Sequence, residues 1–136
     1  MDRLLVDTGF LVAYAKKHDF LHPKADRFLS KYRGALYSVS AVIVETCFHL
    51  DSASKQHLLD WVKEGSLAVV EVPVSAYAEL AGTIGKYSDH NVEFADAALL
   101  WLADKSGIRR ILTTDRRDFH VFRFKDGKRF DLISWF

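Results

Sequence analysis

The sequence predicts an α/β fold with three layers, in which helices cover both faces of a central, mainly parallel twisted sheet. Short runs rich in Leu, Val and Ile alternate along the chain with longer segments of helical character. These short runs are apolar almost throughout, as in strands that are buried on both faces of a parallel sheet. Because the 136 residues contain no linker rich in Pro, Gly or Ser, we expect one domain spanning residues 1–136.

The order of the elements follows from apolar periodicity and from residues that start or stop helices. In the first part of the chain, the pattern predicts strands at 3–6 and 35–39, and helices at 10–17, 22–32 and 41–50, the last capped by Ser40. In the second part it predicts a helix at 52–65, a strand at 67–72 ended by Pro73, and a helix at 75–87. A helix at 91–107, from an N-cap at Asn91 to a stop at Gly107, precedes a strand at 109–114 and short strands at 121–124 and 131–136.

The composition excludes several classes of protein. No stretch is long and apolar enough to span a bilayer, and the N-terminal segment lacks the layout of a signal peptide. We therefore expect a cytoplasmic protein that is not inserted in a membrane. A single cysteine, Cys47, excludes an internal disulfide and a thiolate metal cage.

The charge is distributed unevenly along the chain. The net charge of +1 argues against a protein that coats nucleic acid with its whole surface. Residues 105–129, however, contain nine basic and three acidic side chains, a net charge of +6, so the rest of the chain carries −5. A basic segment of this kind is compatible with an edge that contacts phosphates, and equally with a solvated charged surface.

Four acids occupy positions where a solvated charge is not expected. Asp7 and Asp115 each follow a predicted strand, and ligands of parallel sheets bind at the carboxyl ends of strands. The two acids can meet if their strands are neighbours. Glu45 and Asp96 lie within predicted helices, on faces that they share with apolar side chains.

Carboxylates that cluster in a poorly hydrated place repel one another, and a bound divalent cation offsets that repulsion. Ligands that offer only oxygen favour Mg²⁺ or Mn²⁺ over zinc. Taken singly, each acid also fits an N-cap, a helix-terminus charge or an ion pair.

Four segments carry a family resemblance. In order, LLVDTGF, AVIVETCFHL, EFADAALLWLA and ILTTDRRDF resemble the PIN domain, the nuclease fold of the toxins in VapBC toxin-antitoxin pairs. The resemblance extends over nearly the whole chain. It implies a PIN-like fold and a metal-dependent ribonuclease that leaves 5′-phosphate and 3′-hydroxyl ends, works as a homodimer and is bound by a small antitoxin. It maps the metal-binding acids of the family, and one hydroxyl residue, onto this sequence: Asp7, Glu45, Asp96, Asp115 and Thr113.

Within such a site, Asp7 and Asp115 are expected to bind the principal ion. Glu45 and Asp96 would complete the shell of ligands, orient the attacking water or hold a second ion. Thr113 would hydrogen-bond Asp7 or a ligand water, unless it is an ordinary strand threonine.

Several neighbouring residues keep two interpretations. Arg116 and Arg117 are predicted to position RNA phosphates, or else to pair with Asp118 and other surface acids. Glu93 is either a further ligand or an acid favoured by the dipole at the start of its helix. Thr8 is a candidate cap for the helix that follows Asp7.

Other classes of site fit less well. A dehalogenase-type phosphatase needs an acid where Gly9 stands, and a dinucleotide-binding fold needs a GxGxxG motif that VDTGFLV lacks. The remaining alternative is a PIN-like module that binds RNA or protein without catalysis. For the homodimer, we expect the aromatic run at 119–124 to be exposed and to form part of the contact.

Overall fold

The computed structural model describes residues 2–136, which form seven α-helices, two single turns of 3-10 helix and one five-stranded sheet. The strands are β1 (Arg3–Val6), β2 (Ala35–Val39), β3 (Ala68–Val70), β4 (Arg110–Leu112) and β5 (Asp131–Leu132). The helices are α1 (Thr8–Ala15), α2 (His22–Lys31), α3 (Ser40–Cys47), α4 (Ser52–Lys63), α5 (Tyr77–Lys86), α6 (Phe94–Ser106) and α7 (Arg116–Val121).

The sheet has the strand order β3-β2-β1-β4-β5, and each neighbouring pair is parallel. The chain first builds outward from β1 to β3, then crosses back and places β4 on the other side of β1. Crossovers between parallel strands are right-handed. Those between β1 and β3 and those between β3 and β5 run in opposite directions across the sheet, so their helices lie on opposite faces, and the predicted three-layer α/β/α arrangement is confirmed. The reversal also opens a crevice at the carboxyl ends of β1 and β4.

Burial on both faces explains the continuous apolar runs. Consecutive residues of β1, Leu4 to Val6, are all buried, so neither face of the central strand meets water. Helix α6 is buried almost all round: Ala95 and the run 97–103 lie in the core. None of the helices in residues 2–136 is long and apolar enough to cross a membrane.

Some predicted boundaries and caps were wrong. Val39, rather than Ser40, occupies the N-cap of α3. Glu93 caps α6, whereas Asn91 adopts a left-handed conformation (φ 51°) that ends the preceding 3-10 turn. Gly107 does end α6, in a left-handed conformation that glycine adopts without steric cost.

The largest difference between the predicted elements and the structure lies after β4. The segment 121–124, predicted to be a strand, instead contains the last residue of α7 and an irregular stretch. Phe119, Phe122 and Phe124 are each at most 3% exposed and pack against one another and Phe130. The prediction that this aromatic run is exposed was therefore wrong: it fills the core beneath α7, since burying large aromatic rings is strongly favourable.

Candidate functional site

Asp7 and Asp115 meet because their strands are neighbours. Val6 of β1 pairs with Leu112 of β4, and the Asp7 backbone N–H donates to the Leu112 carbonyl at 2.9 Å. Beyond this last pairing, Asp7 leads into α1 and Asp115 caps α7. The condition under which the two acids can meet, that their strands are neighbours, is therefore fulfilled.

Thr113 links these two acids. Its buried hydroxyl donates to Asp7 Oδ2 at 2.8 Å and accepts from the Asp115 backbone N–H at 2.9 Å. The side chain therefore orients the Asp7 carboxylate and holds the start of the Asp115 turn at the same time. Of its two predicted interpretations, the structure favours the hydrogen bond to Asp7 over an ordinary strand threonine.

Glu45 reaches the same edge from α3, the helix that directly follows β2. The Thr8 hydroxyl donates to Glu45 Oε2 at 3.0 Å. Thr8 is the first residue of α1 and not its cap, so its suggested role as a cap is wrong. The hydrogen bond orients the glutamate at the start of α1, beside Asp7.

Asp96 is held in the first turn of α6 by a reciprocal pair of hydrogen bonds with Glu93. Its Oδ2 accepts from the Glu93 backbone N–H at 3.3 Å, while the Glu93 side chain accepts from the Asp96 backbone. Glu93 is exposed and serves as a helix cap. Its interpretation as an acid at the start of the helix is thus supported.

The pKa values of these carboxyl groups show that they share one environment. Burial, followed by the charges of Asp115 and Glu45, raises the pKa of Asp7 to about 6 against the opposing hydrogen bond from Thr113. Burial, followed by the charge of Asp7 and then those of Asp115 and Glu45, raises the pKa of Asp96 to about 7. Burial also raises the pKa of Asp115. The fold therefore brings all four predicted acids within electrostatic reach of one another.

The four carboxylates do not form a ready metal cage. Among residues 2–136, no three His, Cys, Asp or Glu side chains stand together as a set of metal ligands. Each of the four acids instead has one oxygen engaged in a hydrogen bond to a hydroxyl or a backbone N–H. The edge thus supplies oxygen donors and negative charge, with the side chains turned toward partners within the chain.

Arg116 and Arg117 begin α7 next to Asp115 and are exposed. Neither forms an ion pair within the part of the chain that the structure describes. Asp118, their expected partner, contacts His90 Nδ1 at 3.0 Å instead. The Arg117 charge lowers the pKa of Asp115, so this guanidinium lies within electrostatic range of the acid.

Two residues that support the site were not identified from the sequence. Trp135 donates from Nε1 to the Thr113 carbonyl at 3.1 Å, although it lies 22 positions away. A Cβ on Gly9 would overlap with the Thr114 side chain, so glycine at this position permits the close approach of α1 to the loop after β4. The glycine beside Asp7 is visible in the sequence, whereas nothing local marks the tryptophan.

Comparison with known proteins agrees with this geometry. The family model of the PIN domain matches residues 4–125. Ribonuclease VapC26 of Mycobacterium tuberculosis (strain ATCC 25618 / H37Rv) is 27% identical over 134 residues, which cover 96% of this chain and 99% of the relative.

Two solved structures share the fold. The crystal structure of VapC20 of M. tuberculosis, described as a toxin that cleaves the sarcin-ricin loop, superposes with a TM-score of 0.73 at 18% identity, covering 84% of this chain and 91% of that one. A toxin-antitoxin complex from Klebsiella pneumoniae gives a TM-score of 0.63 at 13% identity, with 98% of both chains covered. Since the family model covers nearly the whole sequence, the resemblance seen in the four segments is confirmed, and the chain belongs to the PIN domain family.

Proposed function

We propose that this protein is a metal-dependent endoribonuclease and the toxin of a toxin-antitoxin pair. The observation that carries the proposal is the group of four carboxylates at the crevice between β1 and β4, two of which have strongly raised pKa values. Membership of the PIN domain family and similarity to a ribonuclease and to toxins support the same reaction.

The donor set fits a hard divalent cation, Mg²⁺ or Mn²⁺. All four candidate ligands are carboxylates, and their mutual repulsion is the charge pattern that a cation would relieve. Asp7 and Asp115 would hold the principal ion, with Glu45 and Asp96 around it. When bound, such an ion lowers the pKa of water and offsets charge on the phosphoryl oxygens.

The protein's own side chains would prepare the site. Thr113 keeps one oxygen of Asp7 oriented, so the second can turn toward a ligand without loss of alignment. Arg116 and Arg117, which form no ion pair within residues 2–136 and lie beside Asp115, would bind the RNA phosphates that flank the scissile bond.

The decisive experiment is a metal titration of Asp7→Asn. The wild-type protein should cleave single-stranded RNA only with Mg²⁺ or Mn²⁺, and its melting temperature should rise with Mn²⁺. Asp7→Asn should fold and lose both responses, whereas the exposed control Asp60→Asn should keep them. A folded wild type that binds RNA but shows no Mn²⁺ response would instead be a non-catalytic binding module.

The arginines have a separate test. Replacing Arg116 and Arg117 by alanine should weaken RNA binding irrespective of sequence and reduce its salt dependence by up to roughly one unit of slope per lost phosphate contact. Mn²⁺ affinity should change little, because neither side chain is a ligand. Unchanged RNA affinity and salt slope in a folded double variant would remove the arginines from the substrate site.

We further propose that the protein works as a homodimer. Tyr77 and Phe94 are 47% and 42% exposed and pack edge to face 5.6 Å apart, and Val74 is 77% exposed. Phe94 begins α6, the helix that also carries Asp96, and a second copy would cover this apolar patch. Light scattering should report a dimer that Tyr77→Ser with Phe94→Ser dissociates and that the control Phe20→Ser leaves intact.

The proposed partner is a small antitoxin that occupies the active-site groove, in the cytoplasm. The similarity to a chain of a toxin-antitoxin complex supports it. A short reading frame beside this gene, whose product co-purifies with the protein and suppresses RNA cleavage, is the expected observation. Unrestrained cleavage in the presence of the neighbouring gene product would contradict it.

A further inference from the structure

A cavity of about 500 Å³ lies between α2 and the residues after β5, outside the four-acid site. Lys24, Arg27 and Lys31 line it, at spacings of three and four residues that place them on one face of the helix. All three side chains are exposed, and none forms an ion pair within residues 2–136. The cavity wall therefore carries three cations that no acid neutralises.

Among the residues that the structure describes, no acidic side chain lines this cavity. The acid of the same helix, Asp26, lines a neighbouring cavity with Tyr14 and Trp61. The chain outside residues 105–129 carries a net charge of −5. A row of three cations without an acidic side chain in the same cavity wall is therefore a local feature of α2. Such a wall favours an anionic ligand.

Apart from Ser134, the remaining wall of the cavity is aromatic. Phe28 and Tyr32 are stacked, with ring centroids 5.6 Å apart and planes 20° apart. Opposite them, Trp135 packs against Phe136, which is 44% exposed. The exposed ring of Phe136 next to these cations suits a ligand that offers both flat bases and phosphates, because bases stack on aromatic rings and the cations pair with the backbone.

One residue, Trp135, contacts both the cavity and the candidate active site. Trp135 forms part of its wall and donates to the carbonyl of Thr113, whose hydroxyl holds Asp7. One tryptophan therefore contacts both the cavity and the residue that orients the candidate metal ligand.

We infer that this cavity is a second binding site for single-stranded RNA, in which Lys24, Arg27 and Lys31 contact consecutive phosphates and Phe136 stacks on a base. The cations extend over about 10 Å of helix, at 1.5 Å per residue. The inference rests on the proposed ribonuclease function and gives that enzyme a binding site for RNA away from the scissile bond.

The test measures binding separately from cleavage. A fluorescent 20-nucleotide RNA with 2′-O-methyl groups is titrated in EDTA, so neither metal nor hydrolysis is needed. Alanine at all three cations should weaken binding about tenfold or more and lower the salt slope by about 2, since each single-strand phosphate contact contributes about 0.7. Phe136→Ala should weaken it about fivefold or more, and Phe136→Trp should restore it.

A matched control removes the same charge elsewhere. Lys17, Lys55 and Lys63 are exposed and do not line the cavity, so their triple alanine variant should change affinity by about twofold at most. Circular dichroism and urea unfolding of all variants establish that they are folded. Because this binding assay contains no metal, its result does not depend on cleavage. A wild type that fails to cleave RNA in the separate assay with Mg²⁺ or Mn²⁺ overturns the proposed function without deciding this inference.

Three outcomes would overturn the inference. The first is unchanged affinity and slope in the cavity variant, and the second is an equal loss in the control variant, which would indicate nonspecific attraction. In the third, polyglutamate competes with RNA for the wild type, the cavity variant loses both ligands, and Phe136→Ala affects neither. That pattern would assign the cavity to an acidic protein segment.

Discussion

Asp96 offers a quantitative test of the repulsion among the four acids. Its carboxyl group has a pKa of about 7, raised from 3.8, because burial and the charge of Asp7 both disfavour its ionised form. Replacing it by asparagine removes one charge, while the amide oxygen can still accept the hydrogen bond from the Glu93 backbone N–H. We therefore expect Asp96→Asn to stabilise the metal-free protein at pH 8.

The expected change in the free energy of unfolding follows from the shift in the pKa of Asp96. Each pKa unit corresponds to about 1.4 kcal/mol, so the upper bound for Asp96 is about 4 kcal/mol. The side chain is only partly buried and shares its repulsion with three other groups, so we expect about 2 kcal/mol, or roughly 6 °C in melting temperature. The comparison Asp60→Asn, at an exposed position of α4, should stay within about 0.5 kcal/mol of the wild type.

The raised pKa values determine how the stability of the metal-free protein changes with pH. Between pH 3.8 and about 7 the Asp96 carboxyl group binds more protons in the folded wild type than in the unfolded chain, so its contribution to stability is greatest below this window and falls as pH rises through it. Asp7 and Asp115, whose pKa values are also raised, act in the same direction. Asp96→Asn should flatten the decline.

Urea unfolding in EDTA at pH 5 and pH 8, for the wild type and both asparagine variants, measures these differences. Addition of Mn²⁺ at pH 8 should then stabilise the wild type more than Asp96→Asn, since the cation takes over the neutralisation. Two results would refute the reasoning: a metal-free wild type that is more stable at pH 8 than at pH 5, or an Asp96→Asn protein with the same decline as the wild type.

Two further substitutions test the supports of the site. Thr113→Val removes the donor to Asp7 and leaves the Asp115 N–H without its acceptor, so urea unfolding should show a loss of about 1–3 kcal/mol. Asp7 should also titrate at higher pH in this variant by NMR, and an unshifted Asp7 would contradict the orienting role. Gly9→Ala should destabilise the protein by about 1–3 kcal/mol through overlap with the loop after β4, whereas Gly85→Ala, where a Cβ meets open space, should be neutral or stabilising by up to about 1 kcal/mol. Equal stabilities of the two alanine variants would contradict the close approach of α1.

The sequence by itself was sufficient for the parallel sheet and the positions of the four acids. Both rest on local patterns: apolar runs mark strands buried on two faces, and an acid directly after such a run lies at the carboxyl edge. Glu45 and Asp96 stood out because a charge on an apolar helical face needs compensation from elsewhere. These signals are carried by neighbours within a few positions, so no knowledge of the fold was needed.

The tertiary structure alone decided the contacts between distant segments. Thr8 turned out to hold Glu45, 37 positions away, and Asp118 paired with His90 rather than with the adjacent arginines. Trp135 reached Thr113 from the segment after the last strand. Short polar side chains can bond locally or across the fold with similar energy, and only the packing of the elements determines which partner is in reach.

The aromatic run after β4 and the cationic face of α2 illustrate the same division. Alternating aromatic and basic residues at 121–124 fit a strand by local pattern, yet the space beneath α7 accommodates Phe119, Phe122 and Phe124, and their burial outweighs strand propensity. Along α2, the sequence indicates only a charged amphipathic helix. That its cations face the aromatic residues after β5 depends on where the last strand joins the sheet, which is set by long-range packing and not by any local signal.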